Sequence, residues 1–178
     1  RNHYQIPFIG IEPAIKPAAL MSKTNSIGIL ATKGTLSSDL FYETSKALTL
    51  EVNITEVVGA GLVPLIENGE IESSRTLALL KKYLKPMVAA NIDYLVLGCS
   101  HYPYLIKPLQ ELLPGNIKII DSGEAVAKQT QLVLASKSIS NISEETPRLL
   151  FFTNGKMRTL NFFLKEYKDK IEISEISF

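Results

Sequence analysis

Tryptophan is absent from this 178-residue chain, cysteine occurs once and histidine only twice. A single cysteine excludes an internal disulfide, which suits a reducing compartment. A closed zinc site takes about four ligands, and one cysteine with two histidines offers little toward one, so no metal is expected. Charge of one sign is also lacking: 19 Lys and Arg face 18 Asp and Glu, for a formal net charge of +1. That balance supplies no electrostatic argument for nucleic acid or an anionic membrane as partner. No apolar run approaches the roughly 20 residues needed to span a bilayer. Solenoid repeats and low-complexity tracts are missing as well. The opening residues, "RNHYQIPFIGIEP", lack an initiator Met and read as the end of a structural unit already under way. The chain is therefore expected to be a piece of a longer protein.

What is present is a globular composition, 46% hydrophobic and 21% charged, long enough for one domain or two small ones. Short apolar runs alternate with helical patterns. Strands are expected in "IPFIGI", "SIGILAT", "NITEVVGA", "DYLVLG", "IKII", "RLLFFT" and "IEISEIS". Helices are expected through "SSDLFYETSKAL", from Glu70 to about Ala90, from Pro103 to Leu113, and through "GEAVAKQTQLVLAS" and "KMRTLNFFLKEY". In the Glu70–Ala90 stretch, Ile71, Leu77, Leu80 and Leu84 fall mostly three or four apart, and Pro86 is expected to kink or end the helix. The alternation predicts α/β layers with mostly parallel sheets. Residues 136–147, "SKSISNISEETP", have the composition of a linker.

In such folds ligands gather beyond the carboxyl ends of the strands. Three polar clusters fall there: Thr32 to Thr35, Cys99 to His101, and Asp121 to Gly123. Cys99 reads in two ways. It is a small buried residue, as free cysteine often is, or a reactive thiol at a strand end before a helix whose partial positive charge favours thiolate. His101 reads either as a proton relay to that thiol or as a ring bonded to backbone in the turn before Pro103. "ATKGTLSS" lacks the Gly-Lys-Ser/Thr ending of a phosphate loop. Its hydroxyls suit a carboxylate, or simple helix capping by Ser37 or Ser38. "DSGE" fits a capping box, with Asp121 as the cap and Glu124 at the third position. Glu67, by itself, reads as a solvated loop acid.

Taken in order, "IGIEPAIKPA", "ILATKGTLSSDLFY", "LVPLIENGE", "LVLGCSHYP" and "IIDSGEAVA" resemble the glutamate racemases, of the cofactor-independent aspartate/glutamate racemase superfamily. "LGCSHYP" is the most specific match, although the family usually has Thr where this chain has Ser100. The resemblance implies two α/β lobes facing each other across a cleft, each contributing one catalytic cysteine. Here only one lobe would be nearly complete: residues 12–117 form the second catalytic lobe, and 1–11 with 118–178 the remainder of the first. It further implies that Cys99 is the second catalytic cysteine, with His101 and Glu67 as catalytic partners. Ser100, His101, Thr32 and Thr35 would contact the substrate. The amino-terminal Asp-Ser-Gly-x-Gly-Gly, Tyr-Gly and Cys-Asn-Thr motifs of the family do not occur in this chain. The implied activity is interconversion of L- and D-glutamate, with no cofactor, in a cytoplasmic enzyme supplying D-glutamate for peptidoglycan. A racemase of aspartate or another amino acid in the same superfamily, and a non-catalytic α/β module that only binds a small acid, are the alternatives. Glutamate is the implied small-molecule partner, and a homodimer is left open.

Overall fold

A computed structural model describes residues 3–48, 51–143 and 145–177. The chain divides into two compact units, one of Arg1–Ile66 and Glu70–Ser140, the other of Glu67–Gly69 and Asn141–Phe178. The division at Ser140 falls inside the stretch whose composition reads as a linker. Residues 118–120 pair into the first unit's sheet.

The first unit is built on four parallel strands in the order β2-β1-β3-β4: β1 (Ser26–Ala31), β2 (Asn53–Val58), β3 (Tyr94–Gly98) and β4 (Lys118–Ile120). All six residues of β1 and all five of β3 are buried, as their continuous apolar runs require of strands covered on both faces. On one face Ile27, Ile29 and Ala31 of β1 and Tyr94 and Val96 of β3 form a core with Ile15, Ala18 and Ala19 of α1 (Ile15–Met21) and Phe41 of α3 (Asp39–Leu48). The short α2 (Lys33–Leu36) precedes α3. Beneath the other face runs α5 (Ser74–Ala89), which buries Thr76, Leu80, Tyr83, Leu84 and Met87 at helical spacing. Gly28 of β1 leaves room for this packing: an added Cβ would stand 2.8 Å from Ile92 Cδ1 and 3.0 Å from Met87 Sδ. Between β3 and β4 the chain makes a 3-10 turn (Tyr102–Leu105) and α6 (Ile106–Leu112). The long α7 (Gly123–Ser136) comes after β4.

The second unit holds two parallel strands, β5 (Leu149–Thr153) and β6 (Ile171–Glu175), joined through α8 (Met157–Phe163) and a 3-10 stretch (Lys165–Lys170).

Several expectations need correction. "IPFIGI" is not a strand; Pro7 cannot donate a ladder bond, no strand pairs with this segment among the described residues, and Ile6, Phe8 and Ile11 are exposed. The helix expected from Glu70 begins at Ser74, because Ser73 caps it by accepting from the Thr76 N–H at 3.2 Å. Pro86 does not end it: three further helical residues come after it, and the Ala90 N–H still donates to the Pro86 carbonyl. An unexpected helix, α4 (Leu62–Glu67), occupies "LVPLIE", so Glu67 is its last residue and not a loop acid. The helix through "KMRTLNFFLKEY" stops at Phe163.

Candidate active site

The carboxyl ends of β1, β3 and β4 converge on a cavity of about 400 Å³. Its walls carry Thr32 and Thr35 after β1, Gly98 at the end of β3 with Cys99 and Ser100 after it, and Asp121, Ser122 and Gly123 after β4. All three sequence clusters therefore meet in one place. The incoming segment Ile11–Pro13 closes another side, and Ser122 pins it by donating its hydroxyl proton to the Glu12 carbonyl. Sequence reasoning assigned no role to Ser122; its position at a strand end was the only available signal.

Each side chain is placed by the local fold. Thr32 is the N-cap of α2, and its Oγ1 accepts from the Thr35 N–H at 3.2 Å. Thr35 Oγ1 donates across to the Gly98 carbonyl at 3.0 Å and lies 3.0 Å from Thr32 Oγ1. Of the two candidate serines, Ser38 is the one that caps α3, accepting from the Phe41 N–H at 3.3 Å. Ser37 instead closes α2 as its C-cap.

Cys99 is half-buried at the first position beyond β3, and Ser100 beside it is exposed. Cys99 Sγ lies 4.0 Å from His101 Nδ1, within reach of a weak sulfur hydrogen bond. His101 does not itself line the cavity; it flanks the thiol from the turn. After the turn comes the four-residue 3-10 helix, shorter than the helix anticipated behind the thiol. Tyr102, fully buried, donates its N–H to the Cys99 carbonyl at 3.1 Å and its hydroxyl to the Gly59 carbonyl at 3.0 Å. Burial first, then the nearby Cys99 and Tyr83, push the Tyr102 hydroxyl far above its usual range, so it stays a proton donor. Glu67, at the end of α4, is not among the residues lining the cavity.

The expected capping box at "DSGE" is not formed. Ser122 occupies the N-cap, Asp121 Oδ1 accepts from the Gly123 N–H at 2.6 Å, and Glu124 pairs with Lys128 one turn on. The short bond from Asp121 spans only two residues, an Asx-type turn that competes with a true cap. Among the described residues, no group of three or more His, Cys, Asp and Glu side chains is arranged to hold a metal ion. No helix among them is long and apolar enough to cross a membrane.

A thiol, a ring nitrogen beside it and hydroxyls within one cavity can move a proton and hold an anion. Known proteins resemble the chain in sequence and fold. Residues 1–130 match the family model described as Asp/Glu/Hydantoin racemase. The glutamate racemase of Stutzerimonas stutzeri (strain A1501) is 40% identical over 151 residues, covering 85% of this chain and 56% of that protein. That of Herpetosiphon aurantiacus is 36% identical over 155 residues, 87% of this chain and 61% of that protein. Among solved structures, a glutamate racemase isoform from Bacillus anthracis superposes with a TM-score of 0.82 at 26% identity, over 99% of this chain and 67% of that one. The Escherichia coli glutamate racemase, solved with L-glutamate and an activator, gives a TM-score of 0.81 at 28% identity, over 98% of this chain and 66% of that one. The chain thus spans 56% and 61% of the length of the two curated relatives named. With the model matched from residue 1 to residue 130, this chain belongs to the Asp/Glu/Hydantoin racemase family.

Proposed function

We propose that the protein interconverts L- and D-glutamate by proton transfer at Cα, with Cys99 as the acid/base on one face of the substrate. The observation that carries this reading is the position of Cys99, in a hydroxyl-lined cavity at the carboxyl edge of a parallel sheet. The naming of relatives at about 40% identity as glutamate racemases supports the choice of substrate.

Inversion at Cα needs removal of a proton from one face and delivery to the other. In one direction the Cys99 thiolate takes the Cα proton, and the electron pair left behind spreads into the substrate carboxylate. A thiol on the opposite face then returns a proton to Cα, and the roles exchange for the reverse direction. The chain's single cysteine serves one face, and the second thiol belongs to the part of the family's length that this chain does not span. Charge builds on the carboxylate in the transition state, so donors fixed there are worth more than in water. Thr32 and Ser100 are the side chains suited to that task, and His101 relays protons at the thiol. Glu67 is a third proton-handling group, as the resemblance implies. The residues 12–117 act as the second catalytic lobe, and the D-glutamate made serves peptidoglycan synthesis in the cytoplasm.

The test uses a protein of full family length and follows both optical rotation and exchange of the Cα proton with deuterated solvent. Wild type converts L- to D-glutamate without added cofactor, and Cys99→Ala loses conversion in both directions. Turnover of aspartate but not glutamate would move the assignment to another member of the superfamily. Binding of either acid with no exchange at Cα would leave a non-catalytic binding module. Wild-type turnover by Cys99→Ala would falsify the two-thiol scheme.

A further inference from the structure

We infer that the two cavity threonines do different work, and that Thr35 is a positioning residue for Cys99 and not a substrate contact; this rests on the racemase reading above. A carbonyl oxygen only accepts, and a threonine hydroxyl carries one proton. The contact of 3.0 Å between Thr35 Oγ1 and the Gly98 carbonyl therefore uses the Thr35 proton. The second contact of 3.0 Å, between the two hydroxyls, is then a hydrogen bond only if Thr32 is the donor. Thr32 Oγ1 is meanwhile held from its acceptor side by the Thr35 N–H at 3.2 Å. Its oxygen is fixed in place, while its proton can turn from Thr35 to a stronger acceptor.

A carboxylate arriving in the cavity draws these two hydroxyls unequally. Thr32 gives up one neutral bond to Thr35 and gains a charge-assisted one, which is roughly twice as strong. The same swing by Thr35 would release the Gly98 carbonyl. That carbonyl and the Cys99 N–H are the two ends of a single planar peptide, so the bond from Thr35 holds the orientation of the unit that carries the thiol. Glycine at 98 makes this restraint matter. No larger residue fits, since an added Cβ would stand 2.7 Å from Ala31 Cβ, and glycine by itself leaves the backbone permissive. Thr35 supplies from α2 the restraint that residue 98 cannot supply for itself.

The experiment compares Thr35→Val, Thr35→Ser and Thr32→Val in the protein of full family length. Thr35→Val keeps shape and loses the donor. It lowers kcat by about 30-fold or more with KM within about twofold, as misplacement of a reacting group does. Thr35→Ser restores the donor and recovers most of kcat. Thr32→Val raises KM by about tenfold, the loss of a hydrogen bond to a charged ligand. Independently of turnover, the rate of Cys99 alkylation by iodoacetamide, read at its own peptide by mass spectrometry, changes in Thr35→Val and returns to the wild-type value in Thr35→Ser. A Thr35→Val enzyme with raised KM and intact kcat overturns the proposal, as does equal loss in Thr35→Ser and Thr35→Val. An unaltered Cys99 alkylation rate in Thr35→Val overturns it too. A wild-type protein without racemase activity fails the functional reading instead, and the alkylation comparison still decides the placement of Thr35.

Discussion

The Tyr102 hydroxyl donates to the Gly59 carbonyl at 3.0 Å, and Gly59 leaves no room for anything larger: an added Cβ would stand 2.3 Å from that same hydroxyl oxygen. A fully buried ring thus ties the turn after β3 to the loop after β2.

Tyr102→Phe keeps the packing and leaves the Gly59 carbonyl without this donor, at a cost of about 1–3 kcal/mol. Gly59→Ala pushes a methyl into the phenol and costs about 1–3 kcal/mol by overpacking. Urea denaturation of the two variants checks both, and the midpoint moves down in each. A wild-type midpoint for Gly59→Ala would show that the ring has somewhere to go.

Asp93 anchors the opposite end of the sheet. Its Oδ1 accepts from the Ser22 hydroxyl at 2.6 Å, and its Oδ2 from the N–H groups of Lys23 at 2.6 Å and Thr24 at 3.2 Å. Burial raises its pKa, but these hydrogen bonds outweigh it and hold the carboxyl below its ordinary value. A depressed folded-state pKa stabilises the fold above the unfolded value of about 3.9, and that contribution is lost as pH falls through the folded one. Wild type should therefore lose stability in acid more steeply than Asp93→Asn, which starts less stable at neutral pH. Thermal melts between pH 7 and pH 2 measure the two slopes, and parallel curves would remove Asp93 from the acid response.

Pro86 lies on the exposed side of α5, in its last turn. It has no N–H to give the Lys82 carbonyl, and its ring crowds that carbonyl. Pro86→Ala should raise stability by up to about 3 kcal/mol. A lower melting temperature in the alanine variant would mean that the proline ring contributes packing that outweighs the missing bond.

Much of this was legible in advance because its causes are local. "SIGILA" and "YLVLG" are unbroken apolar runs between turn residues, the pattern of buried strands in a sheet covered on both sides. Helical patterns between them force parallel pairing, since each strand must return through a crossover. Parallel strands in turn bring their carboxyl ends together, which is why Thr32, Cys99 and Asp121 could be grouped before any contact was known.

Tertiary structure decided the rest, and in each instance the deciding partner is distant along the chain. "IPFIGI" has strand composition, yet a strand exists only where a neighbour supplies its hydrogen bonds, and none does so there among the described residues. The six-residue α4 is too short to hold by propensity; burial of Leu62, Leu65 and Ile66 makes it a helix and carries Glu67 out of a loop. Their places at strand ends grouped two hydroxyls with one thiol. Only the fold could give the Thr35 proton to Gly98, 63 residues away, because a hydroxyl has one proton and the geometry of its acceptors chooses where that proton goes.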